Sequence, residues 1–161
     1  MRAPLAAATI ALTAALLVSG CGSSGGSGSG SGSAPTVVSS APARSGRLRG
    51  SEILVDSKGF ALYAFSKDPK NTFHSHCLGS CEESWHPLEL SGSAPVASGQ
   101  VLGTQLGAIK RSDGKLQVDY AGHPLYTYVP EKRPGEALGN GSSSFGGRWY
   151  ALSPAGGPVH G

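Results

Sequence analysis

Cysteine and histidine side chains are concentrated between residues 74 and 86 of the chain. The cluster comprises His74, His76, Cys77, Cys81 and His86. Imidazole nitrogens and thiolates are the ligands that copper and zinc prefer. A Cys-x-x-x-Cys pair can instead form a disulfide or take part in thiol exchange. The residue types therefore leave three possibilities open: a disulfide, a metal site built from the whole cluster, and a thiol redox centre.

A third cysteine, Cys21, follows an N-terminal segment that is typical of export. Arg2 precedes residues 5–18, which carry no charge, and small residues come next. This stretch is too short for a dependable membrane-spanning helix. The tetrapeptide Val18-Ser19-Gly20-Cys21 resembles the lipobox of bacterial lipoproteins, in which the Cys is acylated and becomes the first mature residue. We therefore predict a signal peptide over residues 1–20 and fatty acyl groups such as palmitate on Cys21. Such a protein is anchored to the extracytoplasmic face of the cell membrane.

Acylation of Cys21 leaves Cys77 and Cys81 to pair with each other. Outside the cytoplasm such a pair is expected to be oxidised. Cα atoms four residues apart lie about 6 Å from each other in one helical turn, which is within the disulfide range. We therefore predict a Cys77–Cys81 disulfide with surface histidines and no bound metal or other cofactor. A metal site that uses the cluster, and thiol exchange, remain the alternatives.

Low-complexity sequence separates Cys21 from the part of the chain that can build a core. Residues 22–33 are all Gly or Ser, which predicts a flexible tether. Residues 34–49 add two Pro and three Arg without a periodic apolar face, so we assign residues 21–50 to the linker. We interpret Arg44, Arg47 and Arg49 as solubilising, with contact to anionic lipid headgroups as the alternative. The predicted domain covers residues 51–156, and residues 157–161 form a tail.

Composition excludes several classes of protein. The 161 residues include 25 Gly and 11 Pro, and only 14% are charged, which argues against a coiled coil or long salt-bridged helices. The net charge of +3 comes without a basic run, so no nucleic-acid partner is indicated. No Gly-x-Ser-x-Gly, Walker or His-Glu-x-x-His motif occurs. We therefore expect a protein that is not an enzyme.

An internal repeat organises the predicted domain. Residues 55–65 align without a gap to residues 118–128, 63 positions further on, and Trp85 aligns with Trp149 at a spacing of 64. Agreement in two separate blocks indicates a duplicated unit. The repeats cover about residues 53–90 and 107–154.

Each repeat has the pattern of strand, turn and strand. Residues 53–56 and 60–65 flank Gly59, and residues 116–120 alternate between apolar and polar side chains before the turn at Gly122. Residues 77–85, which contain the Cys pair, are the one helical candidate. The predicted fold is therefore mainly β: a small antiparallel domain made of two related repeats, with one short helical turn near the cysteines.

The segment Tyr63-Ala64-Phe65-Ser66-Lys67-Asp68 begins a specific set of motifs. It is followed by the Cys pair and by Trp85-His86-Pro87-Leu88, and its second copy is Tyr126-Thr127-Tyr128-Val129-Pro130-Glu131. These residues resemble the bacterial "secreted repeat of unknown function" family, whose members are predicted lipoproteins with a Tyr-x-(Phe/Trp/Tyr)-x-x-Asp motif. The resemblance implies localisation and architecture and carries no activity. Glu131 departs from the motif by replacing Asp, and the second copy lacks the Cys pair.

The motif residues have a structural and a functional interpretation. The rings of Tyr63, Phe65, Tyr126 and Tyr128 are expected to pack across strands, with an exposed aromatic platform as the alternative. Asp68 and Glu131 are expected to accept backbone N–H groups in the following turns. A polar cleft lined by Asp68, Glu131 and His123 would instead indicate an enzyme.

These observations predict a membrane-anchored extracytoplasmic lipoprotein that acts as a non-enzymatic binding or envelope-associated module. Its membrane contact is the N-terminal lipid, and the sequence identifies no ligand or protein partner. The alternative is a lipoprotein that binds copper or another metal through the His and Cys cluster.

Overall fold

A computed structural model describes residues 34–44 and 48–161 of the chain. The predicted signal peptide, Cys21, the Gly/Ser tether and Arg47 lie outside the described residues. Residues 32–161 form one compact unit, and both hydrophobic cores lie within it. A compact unit with its own core has what it needs to fold independently.

Short strands dominate the described part. They are β1 (Val37–Pro42), β2 (Glu52–Asp56), β3 (Tyr63–Phe65), β4 (Trp85–Pro87), β5 (Val96–Ala97), β6 (Leu106–Lys110), β7 (Leu116–Tyr120), β8 (His123–Pro124), β9 (Tyr126–Tyr128), β10 (Ser143–Ser144) and β11 (Gly147–Ala151). They form a five-stranded sheet in the order β10-β11-β3-β9-β4 and two three-stranded sheets, β6-β7-β8 and β2-β1-β5. The pairs are antiparallel except for the two-residue parallel contact of β1 with β5. The mainly β class predicted from the sequence is confirmed.

The two repeats are joined in the middle of the five-stranded sheet. Tyr63 of β3 lies opposite Tyr126 of β9 in an antiparallel pair, and these residues occupy the same position in their repeats. Two equivalent residues face each other in this way only near an axis of two-fold pseudosymmetry. On either side, β11 pairs with β3 and β4 pairs with β9. The last strand of each repeat therefore pairs with the central strand of the other repeat.

Two clusters of buried side chains form the core. The first contains the aromatic residues of both motifs, both cysteines and both tryptophans. The second is mostly aliphatic and contains Val38, Leu54, Leu62, Ala64, Val101, Val118, Tyr120, Leu125 and Leu152. Residues from both repeats occur in each cluster, so neither repeat has a core of its own.

The folded region extends beyond both predicted boundaries. Val37–Pro42, assigned to the linker from the sequence, forms β1, which pairs with β2 over five positions and buries Val38 completely. At the other end, the N–H of Val159 donates to the Ala151 carbonyl at 2.8 Å. The Ser, Ala and Pro of β1 show no apolar alternation, and β1 is ordered by its partners rather than by its own pattern.

The predicted helical segment at residues 77–85 is much shorter than expected. Only Gly79–Cys81 is helical, as a single 3-10 turn. Gly79 has φ 59°, in the left-handed region that a right-handed α-helix excludes. Trp85 belongs to β4, where it pairs with Tyr128.

Candidate functional site

Cys77 and Cys81 lie at disulfide distance, with Cα atoms 5.2 Å apart. Both residues are buried, and the 3-10 turn between them brings their side chains together. Two sulfur atoms that are bonded to each other are not available as thiolate ligands. Within residues 34–44 and 48–161, no group of three or more His, Cys, Asp or Glu side chains is placed to hold a metal ion. The structure therefore offers no centre for the metal alternative in this part of the chain.

The histidines near the cysteines do not converge. His74, His76 and His86 are all exposed, and His86 lies on β4 beyond the disulfide. The backbone N–H of His76 donates to Asp68 at 2.7 Å, and its Nδ1 lies 3.5 Å from the same carboxylate. His76 is thus linked to the aromatic motif rather than to the cysteines.

Arg111, which the sequence analysis did not single out, connects the Cys turn to the rest of the fold. Its guanidinium is buried and donates to the Cys77 carbonyl at 3.1 Å and to Gln117 Oε1 at 2.8 Å. It also pairs with Glu82 and Asp113. In the sequence, Arg111 is a single Arg beside a Ser-Asp-Gly turn. Such an Arg cannot be distinguished from an ordinary surface residue.

The two motif carboxylates bind the motif tyrosines of the opposite repeat. Tyr126 donates its hydroxyl to Asp68 at 2.6 Å, and Tyr63 donates its hydroxyl to Glu131. All four side chains are buried. The relationship is reciprocal, because each half supplies one tyrosine and one carboxylate. The carboxylates were expected to serve their own turns only, and this exchange between repeats was not foreseen.

Backbone N–H groups complete both carboxylate sites at equivalent positions. Asp68 accepts from His76, and Glu131 accepts from Leu138 at 2.8 Å and from Gly139 at 3.4 Å. Gly139 lies 63 positions after His76, the spacing of the repeat. The carboxylates thus accept backbone N–H groups, but the donors lie in the loop seven or eight residues later and not in the following turn as expected.

The Asp-to-Glu change makes the two carboxylate sites unequal. Asp68 uses one oxygen for Tyr126 and the other for His76. Glu131, with one more methylene, receives Tyr63, Leu138 and Gly139 on Oε1. Its Oε2 is buried and has no hydrogen-bond partner among the described residues. The second repeat therefore contains a carboxyl group with half of its bonding capacity unused.

Burial controls the protonation of these groups. It raises the pKa of Glu131 to about 7, against the opposing effect of the hydrogen bond from Tyr63. Burial also raises the pKa of Asp68, again opposed by its tyrosine, Tyr126. The pKa values of both tyrosine hydroxyls are raised by burial and by the neighbouring carboxylates. The tyrosines are thus fixed as donors, whereas Glu131 can exchange a proton near neutral pH.

Four aromatic rings from the two repeats form a continuous stack. Trp85 and Trp149 lie at its centre with ring centroids 3.9 Å apart. Phe65 stacks on the outer face of Trp149 at 4.2 Å, and Tyr128 stacks on the outer face of Trp85 at 4.3 Å. Of the four motif rings, only Tyr128 is incompletely buried. These rings therefore do not form an exposed aromatic platform.

The polar cleft considered from the sequence does not assemble. Asp68 and Glu131 bind different tyrosines, and no hydrogen bond or ion pair links His123 to either of them in the described part of the chain. His123 is half-buried on β8, and burial lowers its pKa. The three residues thus serve separate local structures.

A small groove lies beside the outer end of the aromatic stack. We call it the Tyr128 groove; it has a volume of about 230 Å³ and is lined by Asp56, Lys58, Phe60, His86, Thr127, Tyr128, Val129 and Glu131. Both repeats contribute to its walls. Its lining combines aromatic, hydroxyl and charged side chains.

The fold and the buried cross-repeat pairs define a class of β protein built from two pseudosymmetric repeats. The chain belongs to the family described as "secreted repeat of unknown function", whose model matches residues 50–89 and 107–153, more than half of the chain. This confirms the family predicted from the motifs and a location outside the cytoplasm. Neither a curated protein nor a solved structure matches the chain. Among the described residues, no helix is long and apolar enough to cross a membrane.

Proposed function

We propose that this protein is a lipid-anchored extracytoplasmic binding module without catalytic activity. The observation that carries this proposal is the reciprocal bonding of Asp68 with Tyr126 and of Glu131 with Tyr63 inside the core. The groups of the motif that could perform acid–base chemistry are thereby used to hold the two repeats together. A general acid or base must be within reach of its substrate, and Asp68 does not line the Tyr128 groove, so the groove contains one motif carboxylate, Glu131, and not a pair.

The anchoring part of the proposal rests on the lipobox at residues 18–21. Secretion, which family membership establishes, brings the chain to the compartment where such a Cys is acylated. Two or three acyl chains, each methylene contributing about 0.8 kcal/mol, hold a protein firmly on a membrane. The folded part of the chain would then be joined to the acylated Cys by the twelve Gly and Ser residues 22–33.

The Tyr128 groove is the surface that we propose for binding. Tyr128 and Thr127 form one wall from β9, and His86 on β4 lies opposite Thr127 in the strand pair. The turn of the first repeat closes the groove with Lys58 and Phe60. A volume of about 230 Å³ fits a ligand smaller than a typical drug molecule.

Replacement of Cys21 tests the anchoring. In its own cells the unmodified chain is expected in the membrane fraction with an intact mass that includes acyl groups. Cys21→Ser is expected to be recovered without acyl groups and outside the membrane fraction, whereas the matched tether variant Ser23→Ala keeps the membrane location. Recovery of Cys21→Ser in the membrane at the level of the unmodified chain would contradict the proposal.

Amide NMR spectra test the groove as a binding surface. Phenol and methyl glucopyranoside serve as probes of an aromatic and a polyhydroxyl ligand. We expect at least one of them to shift the resonances of Thr127, Tyr128 and Val129, and Thr127→Trp, which fills the groove, to abolish the shifts. If neither probe perturbs these residues in the unmodified chain, or if the shifts persist in Thr127→Trp, the groove is not the binding site.

A further inference from the structure

We propose that one face of the domain docks on the anionic phospholipid headgroups of the membrane that carries the anchor. We call it the basic face; it consists of Arg44, Arg49, Lys58, Lys132 and Arg133, all of which are exposed. The inference rests on the proposed anchoring, because the anchor keeps the domain close to a bilayer.

Three separate segments bring these side chains together. The N–H of Arg44 donates to the Gly135 carbonyl at 2.8 Å, and Arg44 and Arg133 line the same surface groove of about 430 Å³. Arg49 donates from Nε to the Arg44 carbonyl at 3.1 Å. The N–H of Gly135 donates to the carbonyl of Gly59, the neighbour of Lys58, at 2.8 Å. Arg44, Arg49 and Arg133, scattered in the sequence, thus converge beyond the Pro42 end of β1, and the Gly59–Gly135 hydrogen bond links the turn that carries Lys58 to them.

Two of the carboxylates near the basic face are already occupied, and Glu52, opposite Pro42 in the β1–β2 pair, is a third carboxylate at this end of β1. Glu136 accepts from Arg133 Nε at 3.0 Å and from the backbone N–H groups of Lys132 and Arg133. Asp56 accepts from the backbone of Lys58 and Phe60, both at 2.9 Å. The Arg133 side chain nevertheless remains 82% exposed. The face therefore retains a net positive charge that is open to an external anion.

The charge distribution gives the domain a preferred direction towards an anionic surface. At the opposite end of β1, Thr36 donates its hydroxyl to the carbonyl of Glu89. Three carboxylates, Glu82, Glu89 and Asp113, line a groove there together with Lys115. A strand of six residues is about 20 Å long. The acidic groove and the groove lined by Arg44 and Arg133 have no lining residue in common, and an anionic plane favours the side that carries the arginines.

A bilayer is the partner that this arrangement fits best. Polybasic segments near an anionic leaflet gain about 1 kcal/mol for each Lys or Arg at the surface. The twelve Gly and Ser residues of the tether can extend to about 40 Å. This length exceeds that of β1, so the tether allows the basic face to turn towards the membrane even though the tether joins the domain at the other end.

Vesicle binding by the chain from Gly22 onwards, which lacks the signal and the acylated Cys, tests the proposal. We expect it to sediment with vesicles containing 30% phosphatidylglycerol, but not with phosphatidylcholine vesicles, and to be released by salt. The triple variant Arg44→Gln, Lys58→Gln and Arg133→Gln should reduce the partition coefficient by about a hundredfold, since about 1 kcal/mol is lost with each of the three charges.

Two matched variants separate the basic face from overall charge and from folding. Lys67→Gln, Lys110→Gln and Arg148→Gln together remove the same charge from exposed positions elsewhere and should bind within about twofold of the unmodified chain. Arg44→Lys with Arg133→Lys should also retain binding. Three results would overturn the proposal. They are an equal loss of vesicle binding in both triple variants, a loss of vesicle binding in the variant with Arg44→Lys and Arg133→Lys, and equal binding of the unmodified chain to both kinds of vesicle. The chain from Gly22 onwards carries no acyl groups. Its failure to bind vesicles would therefore count against docking by the basic face and not against anchoring through Cys21.

Discussion

Tyr63 lies directly opposite Tyr126 across the β3–β9 pair, and each tyrosine donates its hydroxyl to the carboxylate that follows the other. The duplication has thus folded as a pseudosymmetric pair in which each repeat completes the other. A hydrogen bond to a charged, buried acceptor contributes more than an average one. The shared tyrosine and carboxylate positions of the motif therefore have a role in holding the repeats together that does not require catalysis.

Removal of one tyrosine hydroxyl should destabilise the whole domain. We expect Tyr126→Phe to lower the free energy of unfolding by about 1–3 kcal/mol, because Asp68 then loses a donor while it stays buried. Urea denaturation measures the change. Tyr150→Phe, at a half-buried tyrosine in β11, is the matched control and should change stability by less than about 0.5 kcal/mol. Equal effects of the two substitutions would show that the Asp68 contact contributes nothing.

Glu131 should make stability depend on pH near neutrality. Its pKa is raised by burial to about 7 from an ordinary value of 4.5. A group with a raised pKa binds more protons when folded, so its stabilising contribution is present below pH 4.5 and lost as the pH rises through 7. Unfolding at pH 5 and pH 8 should show a loss on the order of 3 kcal/mol relative to Glu131→Gln.

Comparison of the unmodified chain with Glu131→Gln isolates the contribution of the Glu131 carboxyl group to the pH dependence of stability. Glu131→Gln imitates the protonated acid in shape, so the Tyr63 contact can persist. Glu52→Gln, at the half-buried start of β2, should leave the pH dependence of the unmodified chain intact. Parallel stability curves for Glu131→Gln and the unmodified chain between pH 5 and 8 would contradict the assignment.

Arg111 should be more important for stability than its place in the sequence indicates. Arg111→Met leaves Gln117, the Cys77 carbonyl and Glu82 without their donor, and we expect a loss of about 3 kcal/mol or more. The neighbouring exposed Lys110→Met is the control. Thermal unfolding distinguishes the two, and a loss below about 1 kcal/mol for Arg111→Met would mean that the buried guanidinium is dispensable.

The Cys77–Cys81 pair should be oxidised and free of metal. Mass analysis of secreted protein should find a chain about 2 Da lighter than after reduction, without bound copper or zinc by elemental analysis. Cys77→Ala with Cys81→Ala should cost less than the ~3 kcal/mol of a 15-residue loop. His86→Ala should leave metal content and stability unchanged. Stoichiometric metal bound to the unmodified chain and lost in His86→Ala would instead support a metal site in the His and Cys cluster.

Patterns that are local to one stretch of chain could be identified before the structure. Ser57-Lys58-Gly59 between apolar runs and the alternation at residues 116–120 indicated strands and turns, and β2 and β7 occur there. The spacing of Cys77 and Cys81 was enough to predict a close approach. Gly79, with its left-handed φ, explains why that approach is a 3-10 turn and not a longer helix.

Features that depend on distant partners could not be identified. Val37–Pro42 has the composition of a linker, and only its pairing with Glu52–Asp56 makes it a strand. Arg111 is buried because the Cys turn and Gln117 surround it. Leu48 lies one repeat spacing, 63 positions, earlier in the chain, and it is buried in the apolar core instead. Repetition predicts that two segments are alike and does not predict how they differ.

The amino-acid sequence by itself predicted an export signal and determined the duplicated unit, the mainly β class and the close approach of Cys77 and Cys81, because each depends on residues close together or on a direct comparison of two segments. Tertiary structure alone decided that Asp68 serves Tyr126 and that Glu131 serves Tyr63. The physical reason is burial: a carboxylate removed from water must find donors wherever the fold provides them. Here the nearest tyrosine hydroxyl belongs to the other repeat, which approaches only when the shared core closes.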